Sequence, residues 1–158
     1  MTNFQKERRE SPGYRIARLF RKNACLLEQK VARMGLCYGQ IPYIMATVEK
    51  GGQTQDELAA HRHVNRAATA RMLKNMEAAG FIIRTENPEN RRQKLVWPTA
   101  KAEALADDLL EILIKHNEMI LTGFSREEKM LFLSLLDRVV VNVDTLLENN
   151  GRCHGYNG

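Results

Sequence analysis

The groups in this chain best suited to a chemical task are the eight Lys and Arg residues between positions 61 and 94, and the task is holding a polyphosphate. Arg66, Arg71 and Lys74 fall on one side of a helical projection together with Ala67, Ala68 and Ala70. Small side chains let a helix settle deep into the major groove of a duplex, where the arginines beside them reach base edges or phosphates. Alanine at 67, 68 and 70 can touch thymine methyls, although it is also a good helix former. Arg71 and Lys74 suit phosphates, which position a protein without specifying sequence. A second basic group, Arg91, Arg92 and Lys94, follows a loop punctuated by Asn87, Pro88 and Asn90. Asn65 reads first as a helix cap and second as a contact.

Other chemistries are poorly supported. No two of His61, His63, His116 and His154 stand at an i, i+4 ligand spacing, so the reading assigns no metal and no cofactor. Cys25, Cys37 and Cys153 have no paired short spacing and are expected as reduced thiols. The serines are Ser11, Ser125 and Ser134, two of them better explained by caps or core edges, and no Gly-rich phosphate loop appears. The pattern argues against an enzyme. At 6% aromatic residues, it also argues against a single-strand binder that stacks bases.

These basic groups need elements to carry them. Thr54 with Glu57 makes a capping box that predicts a helix from Gln55, with Leu58 and Ala59 inward and Ala60 small enough for a close crossing. Asn65 caps a second helix whose Thr69, Met72, Leu73 and Met76 form an apolar face, closed by Gly80. Phe81–Thr85 and Lys94–Trp97 then read as a β-hairpin with Arg91 and Arg92 at its tip. Two helices joined by a turn and followed by a basic hairpin make a winged helix-turn-helix.

Upstream, Ser11-Pro12 starts a helix in which Ile16, Leu19, Phe20, Leu26, Leu27, Val31 and Met34 recur, ending near Gly35. A further helix covers Gln40 to Lys50. Downstream, Thr99 caps a long helix to about Thr122, with Ala102, Leu105, Leu109, Ile112, Leu113 and Ile120 inward. The box at Ser125 and Glu128 starts another to about Glu148, rich in apolar residues on more than one stripe. The expected fold is mainly α with a small β-hairpin wing. Residues 1–38 form an arm and dimerisation helix, 39–99 the winged region, 100–148 dimerisation helices and 149–158 a flexible tail, all in one structural domain.

At 158 residues the chain has length for one domain. Residues 61–94 hold eight Lys/Arg against three Asp/Glu, while the remainder holds 16 of each, so the whole net charge of +5 sits on the proposed reading segment. No apolar run approaches the ~20 residues that span a bilayer. The N-terminus has no apolar signal core, so a cytoplasmic location is expected. A single head cannot bury the apolar helices at both ends, whereas pairing with a second copy would. Pairing would also set two heads one DNA turn apart, ~34 Å. Two alternatives stay open: a sequence-tolerant DNA-organising protein without effector, and a helical protein-interaction dimer with an incidental basic wing.

The stretches GQIPYIMATVEKGGQTQDELA, VNRAATARMLKNMEAAGFIIR and PENRRQKLVWPTAKAEAL, in that order, resemble the MarR family of bacterial transcription regulators. The resemblance implies a homodimer on a palindromic operator, usually a repressor relieved by a small-molecule ligand. It also implies a wing arginine in the minor groove, a position Arg92 occupies. A ligand would sit in the cleft between dimer helices and heads, near Phe20, Tyr38 and Tyr43. Some similar proteins sense peroxide through a thiol in the first helix, but NACLLEQK around Cys25 supplies no activating motif, and Cys25 reads as a buried structural cysteine with Cys37 the more exposed. Others sense zinc, for which the histidine spacing here is wrong. The chain departs from the family in three places. Asn90 stands where the wing usually has Asp, Pro98-Thr99 replaces Leu-Thr, and Ala102 replaces a glycine.

Overall fold

In the computed structural model, which describes residues 7–8, 10–61 and 64–149, the chain forms two units, residues 1–43 and 44–158. Most of the expected arm, the tail from 150 on, His63 and Cys153-His154 lie outside the described residues.

In the first unit, helix α1 (Pro12–Val31) begins where Ser11 Oγ accepts from the Tyr14 N–H at 3.2 Å, with proline in the first turn. A 3-10 turn at Ala32–Met34 continues it, and Gly35 ends it in the left-handed region at φ 72°. Of its apolar residues only Leu27 and Val31 are buried; Ile16, Leu19, Phe20 and Leu26 face out. Cys25 belongs to that outward side. It is exposed, contrary to the expectation of a buried thiol, and Cys37 is half-buried. The Glu28 carboxylate accepts from the Tyr38 N–H, and the Phe20 and Tyr38 rings meet edge to face at 6.1 Å. A 3-10 turn at Tyr38–Gln40 then leads into helix α2 (Ile41–Glu49).

The second unit carries the head. Buried Gln53 closes the end of α2 by donating from Nε2 to the carbonyls of Ala46 (3.0 Å) and Lys50 (2.7 Å). Gln53–Thr54 forms a two-residue strand, β1, that sequence patterning did not show. Helices α3 (Gln55–His61) and α4 (Arg66–Ala78) follow, then strands β2 (Ile82–Glu86) and β3 (Lys94–Pro98). The sheet is antiparallel in the order β1-β3-β2, with Gln53 opposite Val96 and Ile83 opposite Trp97. The wing is thus a three-stranded sheet and not a free hairpin. Gly51 and Gly52 are needed beside it, because a Cβ on either would stand within 3.0 Å of the Trp97 ring. Leu58, Leu73, Met76, Phe81, Ile82 and Val96 are fully buried in the head. Ala60 is exposed, so only Ala59 of that alanine pair turns inward.

Helix α5 (Ala100–Ile120) starts at Thr99, whose Oγ1 accepts from the Ala102 N–H. Its buried positions are Ala102, Ala106, Leu109 and His116. Ala102 and Leu109 are buried as expected, whereas Leu105, Ile112 and Leu113 are only half-buried and Ile120 is exposed, their inward places being taken by Ala106 and His116. Helix α6 (Arg126–Asn149) opens with the Ser125–Glu128 box: Ser125 N–H donates to the carboxylate at 2.8 Å and Glu128 N–H to Ser125 Oγ at 3.2 Å. None of its 24 residues is buried. Among the described residues no helix is long and apolar enough to cross a membrane.

Candidate nucleic-acid interface

The reading surface rests on caps that the local sequence dictates. Glu57 accepts from the Thr54 N–H at 2.6 Å while Thr54 Oγ1 accepts from the Glu57 N–H at 3.2 Å, which fixes the start of α3. Asn65, with φ −67° and ψ 151°, accepts from the Ala68 N–H at 2.7 Å and starts α4. Thr69, Leu73 and Met76 anchor α4 inward. Arg66, Ala67, Arg71 and Lys74 are therefore left exposed, with Ala68 and Ala70 half-buried at the margin. Gly80, at φ 73°, lets the chain turn out of α4, and the Phe81 N–H donates back to Met76 O at 2.9 Å.

The wing tip is built from asparagines. Asn87 Oδ1 accepts from the Glu89 N–H at 3.0 Å, Asn90 Oδ1 from the Arg92 N–H at 3.2 Å, and Gln93 N–H donates to Asn90 O at 2.9 Å. Asn90 therefore orders the tip through the backbone of Arg92. Arg91, Arg92 and Lys94 are exposed, and none is in an ion pair among the described residues. Their charges are available to an anion.

Three contacts that sequence reading did not reveal fasten the end of α4 to the wing and to the start of α5. Arg84 on β2 donates from Nε to the Glu77 carboxylate on α4 at 3.0 Å and pairs with it again through Nη2. Thr99 Oγ1 donates to Gly80 O at 2.7 Å, so the threonine after Pro98 ties the wing's exit to the end of α4. Lys101 Nζ donates to Ala79 O at 2.8 Å and lies 4.1 Å from the centre of the Phe81 ring. The partners in each pair lie on different elements, so no single helical or strand period connects them.

The same geometry recurs in known proteins. Residues 47–94 match the MarR family model. The HTH-type transcriptional regulator YybA of Bacillus subtilis is 32% identical over 111 residues, 70% of this chain and 74% of that one. A second regulator of that organism, YwoH, is 30% identical over 121 residues, 75% of this chain and 84% of that one. The chain belongs to the MarR family. A MarR family transcriptional regulator from Listeria monocytogenes, solved in complex with a 26mer DNA, superposes with a TM-score of 0.79 at 26% identity, covering 93% of this chain and 99% of that one. The protein is therefore a DNA-binding transcription regulator, not an enzyme, with the mainly helical winged fold of its family.

Within this MarR head the Glu77–Arg84 pair sets a pH dependence. The hydrogen bond and charge of Arg84 hold the Glu77 carboxyl below its ordinary value of 4.5, against some desolvation. A carboxylate with a depressed folded-state pKa contributes stability that is full above pH 4.5 and is lost as pH falls through the lowered value. The pair is partly solvated, so the effect is small. Glu77→Gln should flatten the fall of the urea midpoint between pH 5 and pH 3, and curves that superimpose on the parent's would refute the assignment.

Proposed function

We propose that the protein acts as a homodimer that represses transcription by occupying a palindromic operator and leaves it when a small-molecule ligand binds. The observation that carries the dimer is α6, a 24-residue helix with no buried residue and with Leu133, Val139, Val140, Val143 and Leu146 all exposed. Water-facing apolar area on that scale calls for a partner surface. Asn65, Arg66, Ala67, Ala68, Ala70, Arg71 and Lys74 would meet the major groove. Arg91, Arg92 and Lys94 would meet the flanking backbone and minor groove. Half-sites one turn apart would then mirror the twofold axis. For the ligand, the Phe20–Tyr38 pair offers an apolar edge in the first unit, with Phe20 exposed, whereas Tyr43 is buried.

Selection of bound sequences from random duplexes tests the operator. A site preferred by ~10³-fold over bulk DNA is expected, and flat preference would favour a chromosome-organising role. On the selected duplex, Arg92→Ala should weaken binding by about 1–3 kcal/mol in a gel-shift titration. Unchanged affinity would remove Arg92 from the reading surface.

A further inference from the structure

Arg66, the first residue of α4, does not stand alone. Its Nε lies 3.0 Å from Asp56 Oδ1, on the first turn of α3, while the neighbouring Gln55 donates from Nε2 to the Arg66 carbonyl at 3.4 Å. Two consecutive residues of α3 thus grip the backbone and the side chain of one arginine. The arginine side chain nevertheless stays 78% exposed. The carboxylate engages the Nε edge, and no hydrogen bond or ion pair to the terminal nitrogens is found among the described residues. Asp56 also lines a cleft of about 220 Å³ with Thr54, Arg84, Arg92 and Lys94, and it is the one acidic residue there among the described residues.

An exposed ion pair contributes little to stability, so the pair calls for another explanation. A carboxylate on a surface that meets phosphates weakens binding to any DNA. Such a group is retained at a cost in affinity when it improves discrimination. We propose that Asp56 is a specificity-determining residue of the DNA-reading surface. By holding Nε of Arg66 it aims the terminal guanidinium nitrogens at base edges, and by its charge it opposes the phosphate contacts an untethered arginine would make. Phosphate contacts carry no sequence information, whereas an arginine fixed before a guanine edge does. Neutralising Asp56 would free Arg66 and leave only basic charge in the cleft.

This inference rests on the reading of Arg66 as a DNA contact, and the experiment separates the two. Fluorescence anisotropy would compare the full chain on a duplex selected from a random pool and on a scrambled duplex of equal length. Asp56→Asn, Arg66→Ala and the double variant would be measured at two salt concentrations, each first checked for parental helicity and unfolding. The near-isosteric Asp56→Asn should bind the scrambled duplex more tightly than the parent and lose about tenfold in the ratio between duplexes, the scale of one arginine–guanine contact. The double variant should match Arg66→Ala in that ratio, because the carboxylate acts through the arginine. If Arg66→Ala lowers the ratio while Asp56→Asn leaves it unchanged, or weakens both duplexes equally, the role of Asp56 is overturned and the contact stands. If Arg66→Ala leaves the ratio unchanged, the contact itself is wrong and the inference falls with it.

Discussion

Replacing Leu133 and Val140 of α6 together by aspartate is expected to turn a dimer into an 18.1 kDa monomer at micromolar concentration and to lower operator affinity by on the order of 10²–10⁴-fold. The two positions are seven residues apart, hence on one face of the helix, and both are exposed in the isolated chain. Neither supports the fold of the single chain, so helicity should survive. What would be lost is the partner surface. Each buried Leu or Val contributes about 1.5–3 kcal/mol, and two carboxylates in such a face would be desolvated without partners. Affinity falls so far because a head on a linked half-site binds at high effective concentration, an advantage that disappears with the link. Light scattering and a gel-shift titration check both halves. A parent chain already monomeric at that concentration, or a double variant that stays paired with full affinity, would refute the dimer. Arg92→Ala gives the contrast, since it should weaken DNA binding and leave the particle mass unchanged.

What was legible in the sequence is what short-range chemistry decides. Thr54 with Glu57, Asn65, Thr99 and Ser125 with Glu128 each satisfy backbone N–H groups within three residues, so helix starts can be read directly from residue type and spacing. The outward placement of Arg66, Arg71 and Lys74 follows from the inward Thr69, Leu73 and Met76 by helical period alone. Strand β1 was not legible. Two residues cannot show alternation, and its pairing with Val96 and Leu95 depends on a chain segment some forty positions away. The Asp56–Arg66 and Glu77–Arg84 pairs carried no signal because each joins two different elements whose packing no local period sets. In the long helices, composition showed an excess of apolar residues without showing which face packs inside one chain. Cys25 and Ile120 were accordingly assigned inward and lie outward, while Ala106 and His116 take buried places.

Phe81→Ala should produce the largest loss of stability of any single truncation considered for this chain, about 3–5 kcal/mol. Phe81 is among the fully buried side chains and sits where α4, β2 and α5 converge. Its N–H donates to Met76 O at 2.9 Å and its carbonyl accepts from the Thr99 N–H at 3.0 Å. Those backbone bonds persist in the variant, so the effect isolates the ring. Removing it leaves a void among well-packed neighbours and takes away the face over which Lys101 Nζ sits at 4.1 Å. The ring also holds the wing's root against the end of the reading helix, so DNA affinity should fall along with stability. Ile83→Ala is the control. It lies two positions along, on the outer face of β2 and 51% exposed, and should cost no more than about 1 kcal/mol. Urea unfolding at one fixed protein concentration, since dimer stability depends on it, measures both. Equal midpoints for the two variants would mean that the corner is not packed around Phe81. The helix-to-wing geometry would then have to rest on the polar ties of Thr99, Lys101 and Arg84 alone.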